Sequence, residues 1–252
     1  MSRESVASGV VDRDVRVARV RARRANGIAL LALAIALPSP AHAQYNRWFI
    51  GGGFALTEPQ GEFGRLVDEG FGFNANLMYR LDPDGILALR LDAGVVTYGS
   101  ETFQVPLSRT VQRVLVDVTT RNNIFLLGAG PQLSLATGPV RPYLNGSVGL
   151  GYFFTESSVR GSRAFASESF ARTTNFDDLS FAYGVGGGLG IPVKGGYHPI
   201  HLLLDAQYRN HGRTRYLREG SIQEDPSGRV LITPLESQAN LLLFLVGVSV
   251  GL

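Results

Sequence analysis

Phe244-Leu245-Val246-Gly247-Val248-Ser249-Val250-Gly251-Leu252 is the stretch on which the fold turns. Leu252, Val250, Val248, Val246 and Phe244 fall on one face of an extended strand, and Gly251, Ser249 and Gly247 fall on the other. Side chains alternate across a strand, so this segment has one bulky apolar face and one thin face. A water-soluble protein would bury the bulky face against other apolar groups. Read with the opposite end of the chain, the surface available to it is lipid.

That opposite end has the order of an export signal. Arg13, Arg16, Arg19, Arg21, Arg23 and Arg24 form a cationic lead. An apolar run from Ile28 to Leu37 follows, then Pro38, Pro40 and Ala41-His42-Ala43. A basic region, a short apolar core and an A-x-A site describe a secretory signal peptide over 1–43, cleaved before Gln44. A membrane-spanning helix needs about 20 apolar residues, roughly twice this run. Arg23-Arg24 lacks the flanking residues of a twin-arginine signal, so the general secretion route is expected.

Separating 1–43 from 44–252 changes the charge balance. The first segment carries seven Arg and three acids, which leaves 17 basic and 18 acidic residues in the second. The basic character of the whole chain therefore belongs to the signal, and nucleic acid is not expected as a partner. Cysteine is absent, which excludes thiolate catalysis and Cys-based metal sites. The 44–252 segment suits one domain.

Period-2 reading of that domain gives eight strands, near 47–56, 70–81, 86–98, 121–135, 142–154, 179–193, 200–210 and 237–252. In the second, Phe71, Phe73, Ala75, Leu77 and Tyr79 alternate with Gly72, Asn74, Asn76, Met78 and Arg80. In the sixth, Phe181, Tyr183, Val185 and Leu189 alternate with Ala182, Gly184, Gly186, Gly188 and Gly190. The connections alternate too. Turns such as Asp82-Pro83-Asp84-Gly85 are short, whereas those near 57–69, 99–120, 155–178 and 211–236 are long. Short turns at one end and long loops at the other are the layout of a bacterial outer-membrane barrel. Backbone groups in hydrocarbon need partners, so the sheet must close.

The expected fold is therefore all-β, an eight-stranded antiparallel up-and-down transmembrane β-barrel. A lipocalin-like barrel would turn its apolar face inward, but here the opposite face is mostly Gly, Ser, Asn and charge. A narrow interior filled with small and polar groups is expected. Aromatic girdles are expected from Trp48, Phe49, Tyr143 and Tyr197 at the periplasmic end. Tyr98, Tyr152, Phe153, Phe154, Phe181 and Tyr208 are expected to supply the outer girdle.

With the signal and the terminal strand, Gly51-Gly52-Gly53-Phe54, Pro59-Gln60-Gly61-Glu62-Phe63 and Gly70-Phe71-Gly72-Phe73 carry a family resemblance. Over 44–252 the chain resembles the small outer-membrane β-barrel proteins of the OmpA/OmpX/opacity type, whose terminal strand usually ends in an aromatic residue rather than Leu252. The resemblance implies residence in the outer membrane among lipid and lipopolysaccharide, and insertion by the barrel assembly machinery. The leading expectation is a non-enzymatic, structural or surface-interacting barrel whose projecting loops bind an external protein or saccharide, the alternative for the loops being a protective cap with no dedicated ligand. The rival readings are a lipid A-modifying enzyme and a narrow channel for small solutes.

The thin faces place Arg80, Arg90, Asp92, Asp205 and Arg209 in the lumen. They read as a paired network that closes it, since a buried charge must be paired. A gated ion path is the competing reading. Alternate glycines over 184–190 have no helix after them, so close strand packing is expected rather than a phosphate loop. His198 and His201 point to different faces, so no metal site is expected, and no cofactor either.

His211 closes Tyr208-Arg209-Asn210-His211. The lipid A 3-O-deacylases use His-x-Ser with a carboxylate, but Arg213 stands at the serine position, and Ser221 or Ser237 with Glu236 are the only substitutes named. No catalytic residue is assigned. Ten Arg in the long loops, among them Arg109, Arg113, Arg163, Arg215 and Arg218, read as solvated charge, with lipopolysaccharide phosphate as the alternative. Alternation beyond the membrane span, over 101–120 and 213–235, predicts projecting β-hairpins.

Overall fold

The computed structural model describes residues 46–106, 115–135, 138–161, 171–224 and 229–252. The signal-peptide segment and the Asp225-Pro226-Ser227-Gly228 turn lie outside them. Eight strands close into a barrel: β1 (Trp48–Gln60), β2 (Gly70–Arg80), β3 (Leu87–Pro106), β4 (Leu115–Ser134), β5 (Arg141–Gly161), β6 (Ala171–Lys194), β7 (Ile200–His211) and β12 (Asn240–Gly251). Each pairs antiparallel with its sequence neighbour, and β12 returns to β1 in the register Phe49↔Gly251 to Gln60↔Asn240. Four short strands lie between β7 and β12. Arg213–Tyr216 (β8) pairs with Leu235–Gln238 (β11), and Ile222–Glu224 (β9) pairs with Val230–Ile232 (β10).

Alternation dictates which face each side chain takes. Phe71, Phe73, Leu89, Leu91, Val95, Val148, Phe181, Val185, Phe244 and Val246 are exposed, and Phe73 and Val185 retain 71% and 68% of their surface. Asn74, Asn76, Arg90, Asp92, Gln132, Asp205, Gln207 and Arg209 are buried. The apolar face is thus outward, and the polar face lines the lumen. This inversion relative to a soluble barrel is what a hydrocarbon solvent demands.

Three turns join strands at the end where β1 begins and β12 stops. In Asp82-Pro83-Asp84-Gly85 the Asp82 carboxylate accepts the backbone N–H of Ile86 at 2.9 Å and of Leu87 at 2.6 Å. Gly85 takes a φ of 69°, a conformation that side chains resist, and its N–H closes the turn on Asp82 O. The amides hold the Asp82 carboxyl below its ordinary value.

The wall is of two heights. β1, β2, β7 and β12 run 11 to 13 residues, while β3 to β6 run 20 to 24. A tilted strand needs about 9–11 residues to cross, so the four consecutive strands β3–β6 continue above the membrane as one sheet. The projecting hairpin expected over 101–120 is there on its described residues, with Thr102↔Thr119 and Val105↔Val116 in register.

The expected girdle needs correction. Trp48, Tyr197, Phe181 and Tyr208 face outward, but Phe49, Tyr98, Tyr143 and Phe153 are buried inside the barrel. Each shares strand parity with inward neighbours, such as Tyr143 with Asn145 and Ser147. Strand geometry decides the direction of a side chain, and interfacial preference yields to it.

Candidate functional site

The lumen divides into two layers of opposite chemistry. In the barrel order, β3 and β7 stand four strands apart and face each other across the full diameter. Arg90 on β3 reaches over that diameter: its Nη1 donates to Asp205 Oδ2 at 2.7 Å. Its Nε and Nη2 donate to Asp92 Oδ1 at 3.0 and 2.8 Å, and Nη1 also reaches Gln132 Oε1 at 3.3 Å. Tyr143 on β5 donates its hydroxyl to the same Asp205 oxygen at 2.8 Å. Arg209 on β7 donates to Gln207 Oε1 from Nε and Nη2.

Arg90, Arg209, Asp92 and Asp205 sum to no net charge, and Arg209 is only 2% exposed. Desolvating four charges is affordable only when the geometry supplies several charge-assisted hydrogen bonds, as here. Of the five residues assigned to the lumen from sequence, Arg90, Asp92 and Asp205 meet directly and Arg209 lies beside them. Arg80 does not join them; it ends β2 at the turn side of the barrel, its guanidinium 4.1 Å from the Phe49 ring centroid.

Alternate glycines make room for these side chains. A Cβ on Gly188 would stand 2.5 Å from Tyr143 Oη, and one on Gly186 would stand 2.5 Å from Gln207 Cγ. Close strand approach contributes as expected, since a Cβ on Gly184 would also meet the β7 backbone at Tyr208 O, 2.5 Å away, and one on Gly188 would meet it at Leu204 O, closer still. Large polar groups on the neighbouring strands occupy the space that inward side chains of β6 would take.

Above this layer the expectation of a small, polar interior fails. Leu241, Leu243 and Leu245 of β12 pack in one buried cluster with Ile124 and Leu126 of β4, the strand diametrically opposite. Phe63 completes the cluster from a one-turn 3-10 helix (Phe63–Arg65) in the first long loop. Its ring lies 4.8 Å from Tyr216, 5.5 Å from Tyr98 and 6.2 Å from Phe153, edge-on to each. Edge-to-face contact is the favoured arrangement for such rings. Tyr98 Oη donates to Leu217 O at 2.9 Å and Tyr216 shares a hydrogen bond with Ser237 at 2.8 Å. Two long loops thus fold inward over the barrel.

Between the layers sits His211, whose Nδ1 lies 3.3 Å from Ser180 Oγ. Sequence spacing missed this neighbour because Ser180 belongs to β6. The pair is buried, and its Nε2 has no hydrogen-bond partner. The substitutes named from sequence lie elsewhere: Glu236 pairs with Arg213, Ser237 with Tyr216, and Ser221 accepts from the Arg218 amide. Among the described residues no carboxylate orients His211, so the arrangement that would make Ser180 a nucleophile is incomplete.

Residues 28–220 match the family model of the outer membrane protein beta-barrel domain. The chain belongs to that family. It is a protein of the bacterial outer membrane, and in such barrels the end that carries the short turns faces the periplasm. Among solved structures it is similar to Neisserial surface protein A, with 16% identity over 81% of this chain and 97% of that one, at a TM-score of 0.45. The attachment invasion locus protein Ail of Yersinia pestis shows 15% identity over 82% and 99%, at 0.43. The outer membrane protein OprG of Pseudomonas aeruginosa shows 14% over 83% and 97%, also at 0.43. No curated protein matches the chain.

Proposed function

We propose that this barrel acts at the cell surface as a non-enzymatic binding platform, and that its tall wall takes up an extended segment of an external protein. The observation that carries the reading is the free edge of β3 above the membrane. β2 leaves β3 at the pair Phe71↔Thr97, so β3 continues to Pro106 with no strand on that side among the described residues. Ser100 shows the direction of the free groups, because its N–H points away from β4 to Glu219 Oε1. In an antiparallel strand every second residue points the same way, so Thr102 and Gln104 present N–H and C=O to the outside. An edge of this kind accepts a further strand.

Exposed apolar groups favour a peptide over a saccharide. Phe103 and Leu115 are exposed on the tall wall, and Val230, Leu231 and Ile232 are exposed along β10. The filled lumen argues against the channel: Arg90–Asp205 spans it, and the Phe63 cluster sits above.

The test is a Thr102→Pro, Gln104→Pro double variant, which removes two edge donors without touching the lumen. Binding to proteins of the surface that the bacterium contacts should fall at least tenfold, while heat-modifiable migration on gels stays unchanged. Full binding by this variant would remove the reading, and binding that follows polysaccharide instead would transfer the role to a saccharide ligand.

A further inference from the structure

At the periplasmic mouth, below the neutral layer, lies a cavity of about 50 Å³. Arg80, Arg141, His201, Gln132, Ser134, Ser249 and Tyr143 supply its polar lining, and no carboxylate is among the described lining residues. Arg80 ends β2, Arg141 begins β5 and His201 is the second residue of β7, so the three basic groups converge from three separate parts of the wall. Two carboxylates of the neighbouring strands and turn are engaged by other donors. Asp205 accepts from Arg90 and Tyr143, and Asp82 accepts from its own turn.

Arg141 gives an independent sign. Its Nε is buried and has no hydrogen-bond partner, and its side chain forms no hydrogen bond or ion pair with any described residue. A buried donor of a charged group left without an acceptor is costly, and a guanidinium in particular suits planar, two-point contact with an oxyanion. Gln132 spends one N–H on Ser134 Oγ, which leaves the Ser134 hydroxyl proton free to donate into the cavity. The neutral layer above shows that this chain pairs its interior cations with carboxylates where it needs only filler. Among the described residues that line the mouth there is no carboxylate.

We propose that the periplasmic mouth is a binding site for one tetrahedral oxyanion, inorganic phosphate or the phosphate of a lipid headgroup, held by Arg141, Arg80 and His201. The volume agrees: a water needs roughly 10–15 Å³ on the same measure, so the cavity takes one group the size of a few waters and excludes anything with a bulky substituent on every side. Fixed positive groups in a low-dielectric mouth also concentrate anions from the periplasm. The site lies at the far end of the barrel from the proposed protein-binding edge and stands or falls separately.

Protein extracted from outer membranes would be titrated with sodium phosphate in zwitterionic detergent, against sodium chloride at equal ionic strength. Heat of binding and the unfolding midpoint on gels are the two readouts. Phosphate should bind and raise the midpoint, chloride should not, and Arg141→Gln should weaken binding at least tenfold with heat-modifiable migration kept. His201→Asn gives a second variant with the same expectation should Arg141→Gln fail to insert. Lipid separates the two sources: a headgroup occupant raises the midpoint in phosphatidylglycerol nanodiscs over a phosphate-free zwitterionic detergent and leaves no further response to phosphate. An unchanged wild-type midpoint in both phosphate and phosphatidylglycerol, or an equal response in the variants, overturns the proposal.

Discussion

The two layers of the lumen solve one problem in opposite ways. The lower layer fills the barrel with a neutral set of charges bonded across its diameter, from Arg90 on β3 to Asp205 on β7. The upper layer fills it with leucines, isoleucine and rings, including Phe63 brought in by a loop. Ionic filling is directional, so each member depends on the presence of the others. Apolar filling is additive and tolerant, and loses energy roughly in proportion to the atoms removed. The same enclosure therefore has a brittle half and a forgiving half.

The largest effect should come from Asp205→Ala. It leaves Arg90 and the Tyr143 hydroxyl without their shared acceptor, and breaking a buried pair this way costs about 3–5 kcal/mol. Urea titration of the barrel in lipid vesicles should show that loss. A shift no larger than that of a surface substitution would mean that water replaces the carboxylate freely, and the brittle character would be gone.

Phe63→Ala should come next, at the low end of the range for Phe truncation, about 3 kcal/mol, because the loop that carries it can settle into part of the space. The contrast sharpens in conductance. The expectation is that each layer seals the lumen alone, so that neither single variant gives sustained channels in planar bilayers. Asp205→Ala with Phe63→Ala together should. Sustained conductance from either single variant would show that one layer does all the sealing.

A smaller effect is expected from Gly188→Val, which drives a branched side chain into the Tyr143 hydroxyl. Overpacking of this kind costs about 1–3 kcal/mol. Gly188→Val with Tyr143→Phe should recover only the part due to the hydroxyl, since the added Cβ also meets Leu204 O and, at 2.6 Å, Tyr143 Cζ. No recovery would place the strain in the backbone rather than in the polar layer.

The lower layer was legible in the sequence because charge at an inward strand position has one explanation. Arg90, Asp92, Asp205 and Arg209 stood out against the glycines beside them, and parity alone assigned their face. The upper layer was not legible. Leu241, Leu243 and Leu245 alternate with Leu242 and Phe244, so both faces of β12 are apolar there and period 2 carries no signal. Phe63 belongs to a loop, where strand parity says nothing at all. Tyr143 was misassigned for a different reason: a compositional habit of aromatics was allowed to outrank its place in the alternation. Ser180 beside His211 needed the β6–β7 register Ala182↔His211, which no local spacing encodes.

Asp82 supplies the reference for what a carboxylate contributes outside both layers, and the smallest expected effect. It sits in a solvent-exposed turn and accepts two backbone amides, which lower its pKa below the ordinary 3.8. A carboxyl that releases its proton more readily folded than unfolded stabilises the folded state when ionised. That contribution is complete above about pH 4 and fades as pH falls through the lowered value of the folded protein. Asp82→Asn removes the titration. The difference in unfolding midpoint between wild type and Asp82→Asn should therefore be constant from pH 8 down to about pH 4, and shrink below it. The whole difference should stay far smaller than the loss in Asp205→Ala, because water competes for the exposed amides and does not reach Arg90 in the same way. A pH-independent difference would mean that the Asp82 amide contacts do not persist in the membrane-inserted protein.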